Sequence, residues 1–310
     1  MNKIPKHTHR TMIAGIAVIT VILSSCHNLL GPGSVDYHNK ILFTSSRSGT
    51  PQLYMMNPDG SGVQQLTTGP YSHYDGRWSP DAKRIVCQTN QDWTTAGVHM
   101  LVSDANGTNQ HLLAYGSSMA WSPDGHRILF WYCPSCELGI IEPALYVVDP
   151  DSGNPERLPV DGGNPSWSPN GDVIAFNSVS LIDSIPHAHL AIMDYPDYER
   201  VRLIGPSGAD EPAWSPTGRE IAFEMDTPGS TVSEIFSADT ATGDIRQITS
   251  HKSAEAFLYP RWSPDGSKLV FISHTVDGRQ NWYIYIVNID GSDLHRIISD
   301  STVTSADWSE

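Results

Sequence analysis

From Lys40 onward the chain is a succession of short apolar runs separated by polar turns, with no amphipathic helical stretch of useful length between them. One kind of run is apolar at consecutive positions (Ile128-Leu129-Phe130, Ile174-Ala175-Phe176, Leu269-Val270-Phe271), the pattern of a strand covered on both faces. A second kind mixes aliphatic and aromatic residues, at 53–56, 98–102, 145–148, 190–193, 234–237 and 283–287. A shorter and more polar kind follows at 63–67, 110–113, 156–158, 200–204, 244–249 and 294–298. Turn sequences such as Asn57-Pro58-Asp59-Gly60, Asp104-Ala105-Asn106-Gly107 and Asn288-Ile289-Asp290-Gly291 join the last two kinds as hairpins.

Ahead of each fully apolar run stands a strand ending in Trp-Ser. Trp78-Ser79-Pro80-Asp81 returns as Trp121-Ser122-Pro123-Asp124-Gly125, Trp167-Ser168-Pro169-Asn170-Gly171, Trp214-Ser215-Pro216-Thr217-Gly218 and Trp262-Ser263-Pro264-Asp265-Gly266, and Trp308-Ser309-Glu310 ends the sequence. The tryptophans are 43, 46, 47, 48 and 46 residues apart, a period that marks a repeat architecture. Proline fixes φ for the turn, Asp or Asn bonds the backbone two residues on, and Gly accepts the positive φ that closes it. Ala82 replaces that glycine in the first copy and should carry strain of roughly 1 kcal/mol. Nine residues past the tryptophans lie Phe130, Phe176, Phe223 and Phe271, with Cys87 in the equivalent place of the first copy, where it reads as a buried, inert thiol.

Four-stranded antiparallel units repeated about a centre are the blades of a β-propeller, and one blade for each Trp-Ser strand makes six. An apolar run behind Lys40 has no motif before it, and the strand around Trp308 has no apolar run after it. The expected fold is therefore an all-β, six-bladed β-propeller over residues 40–310, closed by pairing of the C-terminal strand with the first blade. A two-layer sandwich would give a similar strand count without the recurring motif. These repeats resemble the WD-like repeats of TolB-type propellers found in bacterial envelope proteins, and the resemblance runs from about Lys40 to Glu310.

The first residues change the picture of where such a propeller works. Lys3, Lys6 and Arg10 precede an apolar run from Met12 to Leu23 that is shorter than the about 20 residues a membrane span needs, and small residues follow. Residues 1–25 read as an export signal. Leu23-Ser24-Ser25-Cys26 resembles a bacterial lipobox, which implies lipid attachment at Cys26; the other reading is an ordinary secretory signal with an incidental cysteine. His27 in place of aspartate implies, by the same resemblance, an outer-membrane lipoprotein, expected to face the periplasm. Residues 26–39 then form the lipidated cysteine and a tether reaching at most about 40 Å. Without the three basic residues of the signal, 16 of 19 basic residues face 34 acidic ones. Such a surface repels nucleic acid and anionic headgroups, so nucleic acid is excluded as a partner and the membrane is met through the lipid alone.

Strand alternation puts the irregular connections, 88–96, 131–143, 178–187, 226–233 and 274–281, on one face, where binding usually lives. The position three before each tryptophan reaches the channel mouth on that face: Asp75, Ser118, Asn164, Glu211, Tyr259 and Ser305. With the neighbours His73, Tyr74, Asp210, Glu255 and Phe257 they form a candidate partner-binding site of aromatics beside carboxylates. The plainer reading is a narrow channel filled by hydrated side chains.

Cys133 and Cys136 frame a long loop, and a disulfide is the default in an oxidising compartment. A zinc site completed by His187 and His189 is the alternative. The Asp-Gly hairpins lack the further acidic ligands of a calcium loop. Related propellers precede peptidase domains in the prolyl oligopeptidase class, but no Gly-x-Ser-x-Gly elbow occurs here; Gly116-Ser117-Ser118-Met119-Ala120 ends in Ala and runs into a strand, and no hydrolase domain is expected after Glu310. A propeller lyase acting on acidic sugars would, by resemblance, need histidines holding a metal, for which His73 and His251 are the candidates near the mouth. The expectation is a monomeric, non-catalytic envelope protein without cofactor that binds or scaffolds a protein or peptide; a carbohydrate-binding or carbohydrate-cleaving propeller is the alternative.

Overall fold

The computed structural model describes residues 35–310 except 95–96, 134–143, 183–184, 199–200, 228, 230–231, 251–254, 276–280 and 299–301. Residues 37–310 form one compact unit. Its strands make six four-stranded antiparallel sheets, each in chain order from the inside outward, apart from one. In that one, blade 1, the innermost strand is Val303–Trp308 and the next is Ile41–Ser45. Ile41 pairs with Trp308, Leu42 with Asp307 and Phe43 with Ala306, so the expected closure of the ring is present. Around the ring the other innermost strands are His73–Trp78, Ser117–Trp121, Gly163–Trp167, Asp210–Trp214 and Glu255–Trp262, in blades 2 to 6. No α-helix occurs among the described residues.

The turn motif works as its residue types dictate. In blade 2 the Ser79 hydroxyl donates to Asp81 Oδ1 at 2.7 Å and accepts the Arg84 N–H at 2.9 Å. Ser122, Ser168 and Ser263 repeat the pair of bonds with Asp124, Asn170 and Asp265. Ala82 adopts φ 52°, the left-handed conformation its glycine counterparts hold at 70–78°. Each motif also touches the next blade. A Cβ added to Gly218 would stand 3.3 Å from Pro169 Cγ, and the glycines at 125, 171 and 266 face the preceding proline in the same way.

Six apolar clusters fill the six seams between blades. Ile41, Phe43 and Trp308 pack against Val270, Ile272 and Ile284 between blades 1 and 6. Phe223 and Ile221 meet Ala175, Leu190 and Ile192 between blades 4 and 5. Second strands are therefore buried on both faces, which is why they read as unbroken apolar runs. Fourth strands are the outer edges, and in blades 1 and 5 they are cut to Gln64–Gln65 and Ile245–Gln247, which limits the edge open to pairing.

Two of the predicted irregular loops are strands instead. Val173–Ile182 and Ile185–Asp194 pair along their whole length, out to Ile182 opposite Ile185, and Arg84–Thr94 and Gly97–Asp104 pair as far as Thr94 with Gly97. From Gln88 to Thr94 polar residues hide the continuing ladder, and from Ser178 to His189 serines, histidines and Pro186 break up the apolar run.

Candidate functional site at the channel mouth

Every innermost strand slips register near its mouth end, a β-bulge repeated around the ring: between Tyr74 and Arg77, Ser117 and Ala120, Gly163 and Ser166, Asp210 and Ala213, and Leu258 and Arg261. The bulged residue is the one three before tryptophan. Asp75, Ser118, Asn164, Glu211 and Tyr259 all have φ between 47° and 57°. A left-handed backbone costs a non-glycine residue about 1–2 kcal/mol, and five such residues at equivalent positions mark a place where the fold holds side chains in a required direction. Blade 1 shifts register as well, but Ser305 is not among the positive-φ residues.

The bulges surround a cavity of about 430 Å³, whose walls include Tyr74, Asp75, Asn164, Asp210, Glu211 and Tyr259. Ser118, Ser305 and the strand-two residues Gln88 and Glu224 also line it. A relay of polar bonds runs across three blades: Ser118 Oγ–H donates to Asn164 Oδ1 at 2.7 Å, and Asn164 Nδ2–H to Asp210 Oδ1 at 2.7 Å. The Glu211 N–H shares that Asp210 oxygen at 2.7 Å. Strand-two side chains hold the next blade's bulge. Thr44 Oγ1 accepts the Asp75 N–H at 3.2 Å, and Glu224 Oε2 accepts the Tyr259 N–H at 2.6 Å.

One residue before each tryptophan, a second layer crosses the channel. Arg261, Asp307 and Arg77 stand on consecutive blades, and Ala120, Ser166 and Ala213 on the other three. Arg77 Nη2 lies 2.7 Å from Asp75 Oδ1, and Arg261 Nη2 lies 3.5 Å from Glu211 Oε2. Asp307 Oδ2 accepts the Trp78 N–H at 2.9 Å. Below this layer the six tryptophans and the Ser-Pro turns line a second cavity of about 210 Å³, opening on the turn face, and Arg77 borders both cavities.

Carboxylates outnumber guanidiniums in this channel. Burial pushes Glu211 up to about 7 from an ordinary 4.5, with Arg261 pulling down and Asp210 and Asp75 pushing further up. Burial, then the Glu211 charge, also raises Glu224 well above the ordinary range. Burial and the Glu211 and Glu224 charges lift the Tyr259 phenol to about 12.

Of the residues expected at the mouth, Tyr74, Asp75, Asn164, Asp210, Glu211 and Tyr259 line the cavity. His73 and Phe257 do not. His73 is buried in the seam between blades 1 and 2, with Nδ1 3.1 Å from Gln52 Oε1, and Phe257 is buried against Phe271 and Tyr285. Five residues before tryptophan, a side chain enters the seam instead of the channel. Glu255 lies outside the cavity too, its carboxylate accepting the Tyr285 hydroxyl at 3.1 Å. Missed from sequence were Glu224, Gln88, Arg77 and Arg261, of which Arg77 and Arg261 sit two residues past ring positions that were recognised. Cys133 is disulfide-bonded, whereas Cys136, like Cys26 and His251, lies outside the described residues, and His187 stands opposite Ser180 on the strand Ile185–Asp194. Cys87 is buried and free, and burial raises its thiol far beyond the ordinary range.

The closed ring of six blades thus carries a polar pocket at one mouth of its axis. Residues 165–310 match the TolB beta propeller domain. TolB from Acinetobacter baumannii superposes with a TM-score of 0.70 at 20% identity, over 89% of this chain and 67% of that one. Oligogalacturonate lyase from Vibrio parahaemolyticus shares the fold with a TM-score of 0.57 at 17% identity, over 83% of this chain and 74% of the lyase. An uncharacterized peptidase, YuxL from Bacillus subtilis (strain 168), is 24% identical over 229 residues, 69% of this chain and 32% of that protein. The chain thus spans about a third of the length of that curated relative. The molecule is a six-bladed β-propeller, and its residues 165–310 match the TolB beta propeller domain.

Proposed function

We propose that this chain is a non-catalytic envelope protein, lipid-anchored through Cys26 on the periplasmic side of an outer membrane, whose channel mouth binds another protein or a peptide. The observation that carries the reading is the ring of five left-handed, non-glycine residues around one polar cavity. A packing role would be met by glycine or by a straight strand, without that recurrent strain. The TolB-type repeats support a protein partner, and the export signal and lipobox support the compartment.

Residues 37–39 lie against the turn face. Tyr37 packs on Trp78 at 5.8 Å, Ser309 Oγ–H donates to the Tyr37 carbonyl, and Trp308 Nε1–H to Asn39 Oδ1, all on the turn face.

The carbohydrate-cleaving reading draws on fold likeness to oligogalacturonate lyase. Four carboxylates around the mouth repel a polyanionic sugar. His73, which that reading needs in the channel, is committed to a seam between blades. Among the described residues no group of His, Cys, Asp and Glu is arranged to hold a metal ion, and His251 lies outside them.

The test is photocrosslinking in the native cell, with a benzophenone side chain at Tyr74 on the mouth or at Ser267 on the turn face. A discrete adduct from position 74 and none from 267 is expected. Adducts from 267 alone would move the partner to the other face.

A further inference from the structure

The mouth cavity is not electrically balanced. Asp75 has Arg77 and Glu211 has Arg261 as ion-pair partners. Asp210 and Glu224 have none. Asp210 Oδ1 is taken by the Asn164 amide and the Glu211 N–H, and Glu224 Oε2 by the Tyr259 N–H. The other oxygen of each carboxylate, Oδ2 and Oε1, meets no donor among the described residues. Both residues line the cavity. Glu224 is desolvated and attracted only by the more distant Arg261, and a carboxylate so placed is stabilised by a positively charged donor in hydrogen-bond reach.

Resting on the reading of the mouth as a partner site, we propose that the cavity takes a cationic side chain of that partner, the ammonium of a lysine or the guanidinium of an arginine inserted along the channel axis. Three observations narrow the ligand to an organic cation on an arm. The volume of about 430 Å³ is that of a pocket for an organic group. No set of three metal-ligating side chains converges among the described residues, so the negative charge is spread around a wall, as several N–H donors require, and is not focused on one point. Tyr74 and Tyr259 stand in the same wall, and their rings suit the methylene stem and the charged head of such a residue. Arg77 forms the floor and sets the depth: a second cation stops above it by like-charge repulsion. Glu211 and Glu224, both held above their ordinary range by burial, are the groups whose ionisation the incoming charge would restore. The net charge of −15 adds attraction at a distance.

Titration calorimetry of the purified protein with tetralysine, tetraglutamine and calcium chloride tests this. Saturable one-to-one binding of tetralysine, and none of tetraglutamine, is expected. Glu211→Gln and Glu224→Gln together should weaken tetralysine at least tenfold, while Asp59→Asn on the turn face leaves it unchanged. Binding at many sites that the paired substitution does not alter would overturn the proposal, as would calcium binding that the same pair abolishes and that excludes tetralysine. If tetralysine does not bind but a benzophenone at Tyr74 still captures one partner, the cationic ligand is wrong and the mouth reading survives. If neither occurs, both fall. Circular dichroism of the paired variant separates lost binding from lost fold.

Discussion

Arg77 and Asp75 are two residues apart on one strand, and the bulge between Tyr74 and Arg77 brings their side chains together in the channel, with Nη2 2.7 Å from Oδ1. The guanidinium is also flanked by Asp307, so one cation serves two carboxylates from neighbouring blades. Removing one partner of a buried pair strands the other. Arg77→Ala should destabilise the protein by about 3–5 kcal/mol, read by urea denaturation. Combined with Asp75→Ala it should cost less than the sum of the two single changes. Strict additivity would mean that the pair is not coupled.

Glu211 gives a pH signature of opposite sign to that of most surface carboxylates. Its carboxyl is pushed up to about 7 in the folded protein from 4.5 ordinarily, because burial outweighs the attraction of Arg261 and Arg77 while Asp210 and Asp75 add repulsion. The protonated form is therefore favoured by folding. Its contribution is fully present below pH 4.5 and is lost as pH rises through 7, at most about 3 kcal/mol. Melting curves of wild type and Glu211→Gln should diverge steadily from pH 5 to pH 8, with the variant gaining on wild type. Parallel curves would show that the carboxyl titrates normally.

The tryptophans of the repeat are not equivalent. Trp262 is buried and its Nε1–H donates to the Ala213 carbonyl at 2.9 Å, whereas Trp214 is only partly buried and its Nε1 has no partner among the described residues. Trp262→Ala should cost about 3–5 kcal/mol and Trp214→Ala clearly less. Chemical denaturation of the two variants decides it, and the reverse order would contradict the burial pattern.

Two turn substitutions should behave as unlike opposites. Gly218→Ala forces a side chain into φ +71° and sets its Cβ 3.3 Å from Pro169, a loss of about 1–2 kcal/mol. Ala82→Gly relieves about 1 kcal/mol of strain. It also gives up a buried methyl group worth about 0.8 kcal/mol, so its melting temperature should hardly move.

Blade number, closure of the ring and the position of the mouth were legible because each rests on a local signal that repeats: Trp-Ser before a Pro-Asp-Gly turn, then an apolar run. Eight of the eleven residues expected at the mouth line the cavity: counting back three from tryptophan lands on six of them, and Tyr74 and Asp210 stand one place ahead. His73 and Phe257 were misplaced because a bulge shifts the facing of the residues ahead of it, and no residue type announces a bulge. Glu224 stayed hidden on a strand read as core, where one polar residue past Phe223 looked like its end. The Arg261-Asp307-Arg77 layer joins residues distant in sequence, and only the closed ring makes them neighbours.

Because the left-handed positions are held by the bulge, and at Asp75, Glu211 and Tyr259 also by bonds to the backbone N–H, the scaffold does not specify what sits on them. Asp, Ser, Asn, Glu and Tyr already occupy five interchangeable seats. The pocket can thus be re-lettered one blade at a time, and a drift in specificity needs no change in the framework that displays it.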